Sequence, residues 1–365
     1  MFGYHGIAQP GAVERPSFMT DAAAPIQISF CIPTYNFGQF IGQTLDSIIA
    51  QADARVQIVI VDGGSKDNTA EVVAAAAARF PRIKFLPQQQ KGGVDPAILE
   101  SVAAADGEYC WLFSSDDVLA PGAIAHVRAA LDAGGWDLML VGSTQCDRDM
   151  KPLWRHAILG ARAPMTFDWS VPAQRADYCA RALTTAAFFS FISDVIVKRE
   201  RWQAAGPVDG HLGSAWGIAA KVYTMSRTGL IVRFDPKLLV LGRGDNDSFF
   251  AGRGHVGRAA LSLRGFRKVA EDFFGPASME ARHVRRVLRR EFSLRILLYR
   301  KLQVARLRDS QALAGLGELA RLNYDRPVAA DRLRLFLYRA APAWLLEVLY
   351  AAYRVVRPLC WRLGH

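Results

Sequence analysis

Asp116 and Asp117 stand side by side directly after the apolar run Tyr109-Cys-Trp-Leu-Phe113. Adjacent carboxylates at the end of a strand repel one another unless a cation or hydrogen-bond donors satisfy them. A hard divalent ion such as Mg²⁺ or Mn²⁺ is usually held by one or two protein carboxylates together with substrate phosphates. Helix capping explains the same residues, since Ser115, Asp116 or Asp117 can satisfy free N–H groups ahead of Pro121. A further carboxylate, Asp62, lies in Val61-Asp-Gly-Gly-Ser-Lys-Asp-Asn-Thr69. Its two glycines permit a tight turn in which backbone approaches a ligand closely. Asp62 can accept hydrogen bonds from a base N–H or a ribose hydroxyl, and a plain turn followed by a capped helix is the alternative.

The elements that must position these groups follow from periodicity. Residues 26–32 form an apolar run ended by Pro33, and 38–51 carry Phe40, Ile41, Leu45, Ile48 and Ile49 at helical spacing. Residues 56–61 are β-branched, the mark of a strand buried on both faces. Residues 68–79 read as a helix with Asp67 or Asn68 as N-cap. Residues 83–86 and 109–113 read as strands around a helix at 96–105. Pro121 opens another helix that ends near Gly134 and Gly135, and 138–141 is strand again. This alternation predicts βαβ units, hence an α/β domain whose mainly parallel sheet has helices on both faces. Ligands on such sheets gather at the carboxyl ends of the strands, where residues 33–36, 62–65 and 114–117 fall. Residues 151–177 lack a clear period. Beyond them, 188–198, 215–227, 230–234 and 238–241 suggest mixed strands and a helix completing the same domain.

Ile32-Pro-Thr-Tyr-Asn36, Val61-Asp-Gly-Gly-Ser-Lys-Asp-Asn-Thr69 and Phe113-Ser-Ser-Asp-Asp117 resemble, in order and spacing, the successive signatures of family 2 glycosyltransferases. The resemblance spans residues 27–141. Gly92-Gly-Val-Asp-Pro-Ala-Ile98 is similar to the stretch where an aspartate reaches the nucleoside. More loosely, 186–198 and 242–249 are similar to bacterial abequosyltransferase-like members, which add deoxysugars to lipid-linked O-antigen units. The resemblance implies a GT-A fold over residues 26–252. It implies that Pro33, Tyr35 and Asn36 frame the nucleotide base, that Asp62 and Asp95 contact base or ribose, and that Asp116 contacts ribose or a metal-bound water. Asp117 would ligate Mg²⁺ or Mn²⁺. A nucleotide-sugar donor, a lipid-linked or glycan acceptor and inversion by single displacement are implied as well.

The chain departs from that pattern at the acceptor base. Many relatives carry Glu-Asp in the helix after a Gly-rich turn, whereas the corresponding stretch here is Gly206-Pro-Val-Asp-Gly-His-Leu-Gly-Ser-Ala-Trp216. His211, Asp194 and Asp209 are the candidate bases, with histidine suited by its pKa. Arg243, in the loop Gly242-Arg-Gly-Asp-Asn-Asp-Ser-Phe249, is a candidate to pair with the diphosphate; a surface turn is the alternative. Two other functions compete with sugar transfer. A sugar nucleotidylyltransferase expects a Gly-rich, Arg/Lys-bearing loop after the first strand, which residues 33–36 do not supply. A non-catalytic scaffold that binds membrane or a partner is the other, kept open by the absent Glu-Asp.

Composition bounds the remaining choices. The chain has 365 residues and a formal net charge of +11. All of the excess lies from Arg253 onward, where 23 Lys/Arg face 9 Asp/Glu. Such asymmetry points to an anionic partner for that segment. Arg282, Arg285, Arg286, Arg289 and Arg290 share one helical face. Residues 333–338 and 344–353 are apolar but interrupted, as in helices lying in a membrane interface; a solvated helical bundle packed on the catalytic domain is the alternative. Nucleic acid is not expected, because no recognised binding module accompanies the charge. The five cysteines include no CxxC pair, so neither a zinc site nor a disulfide framework is suggested. Residues 1–25 read as a loose tail without the apolar core of a signal peptide. No stretch reaches the ~20 uninterrupted apolar residues of a spanning helix. The expectation is a cytoplasmic enzyme, peripheral on the inner face of the cell membrane, with a basic helical region over 253–365.

Overall fold

The computed structural model describes residues 25–89, 92–246, 254–326 and 328–362, with side chains placed as far as Ala352. Its strands are β1 (Ile28–Thr34), β2 (Val56–Asp62), β3 (Ile83–Pro87), β4 (Tyr109–Leu112) and β5 (Val118–Leu119), then β6 (Leu138–Cys146), β7 (Pro152–Arg155), β8 (Met165–Asp168), β9 (Val195–Lys198) and β10 (Ile231–Gly242). They form one sheet in the order β3-β2-β1-β4-β9-β6-β10-β5, with β7 on β6 and β8 on β10. The run β3-β2-β1-β4 is wholly parallel, and β6 is parallel to β10. Between these blocks β9 runs antiparallel to both neighbours. Pro33 does not end β1: it pairs in register with Val61, and the strand continues to Thr34.

Side chains alternate across the sheet because successive residues of a strand face opposite ways. Phe30, Ile32, Ile58, Ile60, Trp111, Met139 and Val141 fill one face. That layer is covered by α1 (Gly38–Ile49), α2 (Thr69–Arg79) and α4 (Ala123–Ala133), through residues such as Ile41, Leu45, Val73 and Val127. Cys31, Val59, Leu112, Leu138 and Leu140 fill the opposite face, under α3 (Val94–Ala103), α5 (Pro172–Arg181), α6 (Arg199–Ala204) and α7 (Gly217–Met225). The two apolar sets of β2 explain why its seven residues are all buried. In β10 the register slips between Asp235 and Leu238, where Pro236 has no N–H for the ladder. The bulge presses on β6, so that a Cβ on Gly142 would sit 2.7 Å from the Pro236 carbonyl.

The last third forms α8 (Gly254–Phe274), α9 (Met279–Glu291), α10 (Leu294–Arg306), α11 (Ser310–Asn323), α12 (Ala329–Ala340) and α13 (Ala343–Arg362). Helices α8 and α9 are not a separate appendage. Leu263, Phe266, Val269, Val284 and Leu288 belong to the same apolar cluster as Cys31 and Leu112 of the sheet. Of the α9 arginines expected to meet an anionic partner, Arg285, Arg286 and Arg289 are bonded within the protein, whereas Arg282 and Arg290 lie exposed. Arg286 donates to the carbonyls of Cys179, Ala180 and Ala182. Arg285 pairs with Glu271 at 2.9 Å, and Arg289 bonds the Asn323 carbonyl and Asp325. Guanidinium groups with five fixed donors suit this stapling of helix ends and loops.

Contact between α7 and α8 is close enough to test. Trp216 Nε1 donates to the Leu261 carbonyl at 3.1 Å, and a Cβ added at Gly265 would land inside its indole ring. Gly265→Ala is expected to lower unfolding free energy by about 1–3 kcal/mol in denaturant titration. Gly317→Ala, where a Cβ would meet nothing within 4 Å, is the control and should be neutral or stabilising by up to about 1 kcal/mol.

Candidate active site

Three loops meet at the carboxyl edge of the parallel strands, and the first two are stitched together. Gly63 N–H donates to the Thr34 carbonyl at 2.9 Å, Asn36 N–H to Ser65 Oγ at 2.8 Å, and Lys66 N–H to Asn36 Oδ1 at 2.7 Å. Asn36 is left-handed, φ 55°, which its short, locally bonding amide tolerates. Gly64 has φ 79° and a Cβ there would stand 3.0 Å from the Gln88 carbonyl, so this turn requires glycine. Asp62 is buried at the end of β2, and both of its oxygens accept from Ser65 N–H at 3.2 Å. The Tyr35 ring flanks Gly63, 3.5 Å from where a Cβ would be. Pro33, Tyr35, Asn36 and Asp62 are thus gathered at one edge.

The third loop carries the carboxylate pair, which the two-residue strand β5, rather than a helix, follows directly. Ser193 Oγ donates to Asp117 Oδ2 at 2.5 Å, Arg243 N–H to Asp117 Oδ1 at 2.9 Å, and Thr44 Oγ1 to the Asp117 carbonyl at 2.7 Å. Asp116 accepts from Ser114 Oγ and Asn246 Nδ2. Burial, then the charge of Asp116, pushes the Asp117 carboxyl up to about 8. Burial raises Asp116 as well. Capping does not account for the pair: Gly122 precedes α4, and no side chain bonds that helix start.

Arg243 is not free to meet a diphosphate here. Its guanidinium is buried, donating to the Asp116 carbonyl at 2.9 Å, to Gln43 Oε1 at 2.5 Å and to the Arg148 carbonyl. It lies over the Phe40 ring, 4.7 Å from the centroid, an arrangement in which planar Arg loses little on leaving water. Its partners are neutral, so its charge remains to offset the carboxylates beside it.

Asp95 is buried, and burial raises its carboxyl. Its oxygens accept from Ala215 N–H at 3.0 Å and Gly217 N–H at 3.2 Å. In this structure it ties the start of α7 to α3, and Gly217 is needed because a Cβ would stand 2.8 Å from the Asp95 carboxyl carbon. Of the candidate bases, Asp194 is fully buried beside Asp117 and held well above the ordinary carboxylate range by burial. Ser143 Oγ donates to its Oδ2 at 3.1 Å, while Oδ1 has no partner among the described residues. His211 lies 3.4 Å from Asp272 of α8 and against Phe273; burial lowers its pKa, with Asp272 opposing. The side chain of Asp209, and residues 247–249 of the Arg243 loop, lie outside the described residues.

Ser193, Gln43 and Asn246 complete the hydrogen-bond partners around the carboxylates and Arg243, and sequence reasoning passed over all three. Ser193 adjoins a residue that was singled out, but sits in the short 3-10 turn Ile192–Asp194 that no periodicity marks. Among the described residues no group of three or more His, Cys, Asp or Glu could hold a metal alone. Two buried carboxylates of raised pKa nonetheless suit a hard cation, which would relieve their repulsion and take its remaining ligands from phosphate.

The model of glycosyl transferase family 2 matches residues 29–192. Abequosyltransferase RfbV of Salmonella typhimurium is 31% identical over 297 residues, covering 80% of this chain and 87% of that protein. Glycosyltransferase GlyG of Streptococcus pneumoniae is 34% identical over 92 residues, 25% of this chain and 31% of that one. Among solved structures, S. aureus TarS 1–349 in complex with UDP-GlcNAc superposes with a TM-score of 0.57 at 16% identity, covering 90% of this chain and 92% of that one. The sheet and its helices are those of the GT-A fold.

The buried pair makes a signed prediction. A carboxyl whose folded pKa lies above its ordinary value near 3.8 supports the fold while protonated, and that support fades as pH climbs toward about 8. Asp117→Asn removes the ionisation. In thermal melts of metal-free protein it should raise Tm near pH 8 and match the parent below about pH 4. Equal shifts at both ends would assign the effect to packing.

Proposed function

The chain belongs to glycosyl transferase family 2, and on that premise we propose that Asp116 and Asp117 form the diphosphate end of its nucleotide-sugar site. The buried carboxylate pair, brought to the edge where the loops after β1 and β2 converge, carries this reading. Pro33, Tyr35 and Asn36 frame the base, and Asp62 takes a base N–H or ribose hydroxyl. Asp95 holds the rim in place, Asp116 faces ribose or cation-bound water, and Asp117 holds Mg²⁺ or Mn²⁺. Such a cation neutralises charge gathering on the departing diphosphate. Arg243 and Ser193 orient Asp117 from behind.

The bond from the anomeric carbon to the diphosphate oxygen breaks as the acceptor hydroxyl attacks the opposite face, inverting the centre. His211 is our choice of base. Burial lowers its pKa and so favours the neutral imidazole that can accept the hydroxyl proton, while Asp272 opposes that shift and would stabilise the imidazolium that results. The loop that carries His211 reaches the carboxyl edge at Ala215, which donates to Asp95, while His211 itself packs beside Asp272 and Phe273 at the end of α8. The similarity to an abequosyltransferase supports a deoxyhexosyl donor and a lipid-linked or glycan acceptor. The enzyme then works in the cytoplasm, peripheral at an anionic membrane surface; no single described helix is long and apolar enough to cross one.

A panel of nucleotide-sugars, assayed for Mn²⁺-dependent binding and hydrolysis, tests the donor half. One donor should bind in the parent and none in Asp117→Ala; binding unchanged by that substitution would remove the pair from the site. For the base, His211→Gln should lower kcat by about 10²–10⁴-fold with donor KM little changed, and Asp272→Asn should shift the limb of the pH–rate profile. A parent-like kcat in His211→Gln rejects the assignment.

A further inference from the structure

Helices α12 and α13 turn one side to the protein and leave the other uncovered. Asp331, Tyr338 and Leu346 are buried on the inner side. On the outer side of α12, Leu333, Phe336 and Leu337 are 57%, 64% and 44% exposed. On α13, Trp344, Val348 and Leu349 are 68%, 58% and 55% exposed. Spacings of three and four residues align Leu333, Phe336 and Leu337 on α12 and Trp344 and Val348 on α13, with Leu349 next to Val348. Single exposed apolar residues are ordinary, but grouped ones mark a binding surface.

Charge identifies what this surface meets. Arg332 and Arg339 are exposed beside the apolar stripe. Both acidic residues of the stretch are taken from within the protein. Asp331 is clamped by Arg326 at 3.1 Å and Arg334 at 2.8 Å. Glu347 is held by Arg306 at 2.7 and 2.6 Å. The rim of the apolar patch is therefore positive, and Arg354, Arg357 and Arg362 follow in sequence. A protein partner would set carboxylates against such a rim, but an aromatic-aliphatic stripe edged by arginine also matches the graded polarity of a lipid interface.

Shape agrees with that occupant. The two helices meet at a bend of 100°, and neither is long and apolar enough to span a bilayer. Two short helices at a right angle can both lie in one plane. We propose that this elbow beds into the headgroup–acyl boundary of an anionic bilayer, with Phe336 and Trp344 below the headgroups and Arg332 and Arg339 against lipid phosphates. It deepens, and rests on, the reading of the enzyme as one that serves a membrane-borne acceptor. It places the contact on α12 and α13 rather than on the α9 arginines, of which Arg285, Arg286 and Arg289 are bonded within the fold.

The test is flotation of the full chain with vesicles of phosphatidylcholine alone or with phosphatidylglycerol added. The parent should float with the anionic vesicles and lose that binding as salt rises. The pair Phe336→Ser/Trp344→Ser should abolish it, and Arg332→Glu and Arg339→Glu should each weaken it at least about fivefold. Nucleotide-sugar hydrolysis in solution, measured on the same samples, should not change. Flotation equal in parent and variants, absence of flotation in a parent that still turns over donor, or a parent dimer that Trp344→Ser dissociates would each overturn the proposal. Loss of donor turnover with flotation intact would instead strike the glycosyltransferase site and leave the elbow standing.

Discussion

The Asp117 carboxylate is the point on which the molecule converges. A carboxyl group removed from water must be neutralised, bonded or both, and the parallel strands alone do not supply the partners. One oxygen is served by Ser193 at the start of β9 and the other by the Arg243 amide at the end of β10. The carbonyl of Asp117 accepts from Thr44 of α1. Four elements distant in sequence therefore meet at one residue. The antiparallel insertion of β9 between β4 and β6 is the topological means by which Ser193 arrives there. Even so served, the group is held at a raised pKa. The protein keeps an electrostatically uncomfortable spot at its centre, as sites built for a charged ligand commonly do.

What could be read from the residues ahead of the structure divides along physical lines. Strands β1, β2 and β4 were legible because both their faces are buried and most of their side chains are apolar or β-branched. The strands β7 and β8 were not: β7 is exposed along its length and β8 buries only Phe167, leaving no hydrophobic period to detect. β10 was read as two pieces because the Pro236 bulge interrupts its alternation. At the site, the residues on strand ends were legible from order and spacing. Ser193 and Gln43 were not, since their roles arise from where tertiary contacts bring them.

Charge was the least faithful guide. Counting arginines in the last third gave a correct excess and a misleading location. On α9 the guanidinium groups meet backbone carbonyls and carboxylates of the protein itself, and a bonded arginine presents little field to an outside partner. Exposed basic residues also lie beside apolar ones on α12, at Arg332 and Arg339. Helical periodicity alone cannot separate the two cases, because a stripe facing a neighbouring helix and a stripe facing solvent have the same spacing.

The bond between Arg243 and Asp117 joins residues 126 apart in sequence. During synthesis the first four strands can assemble while Asp117 waits for its partners. At about 5–20 residues per second, a growing chain spends roughly 6–25 seconds with this carboxylate formed but not yet bonded to Arg243. Until Ser193 and β9 are made, the parallel sheet has an open carboxyl edge and β4 has no neighbour on its far side. The order of the genetic message thus makes Asp117 wait longest for the Arg243 amide. A ribosome stalled short of Arg243 would display an unfinished sheet edge of the kind that chaperones bind.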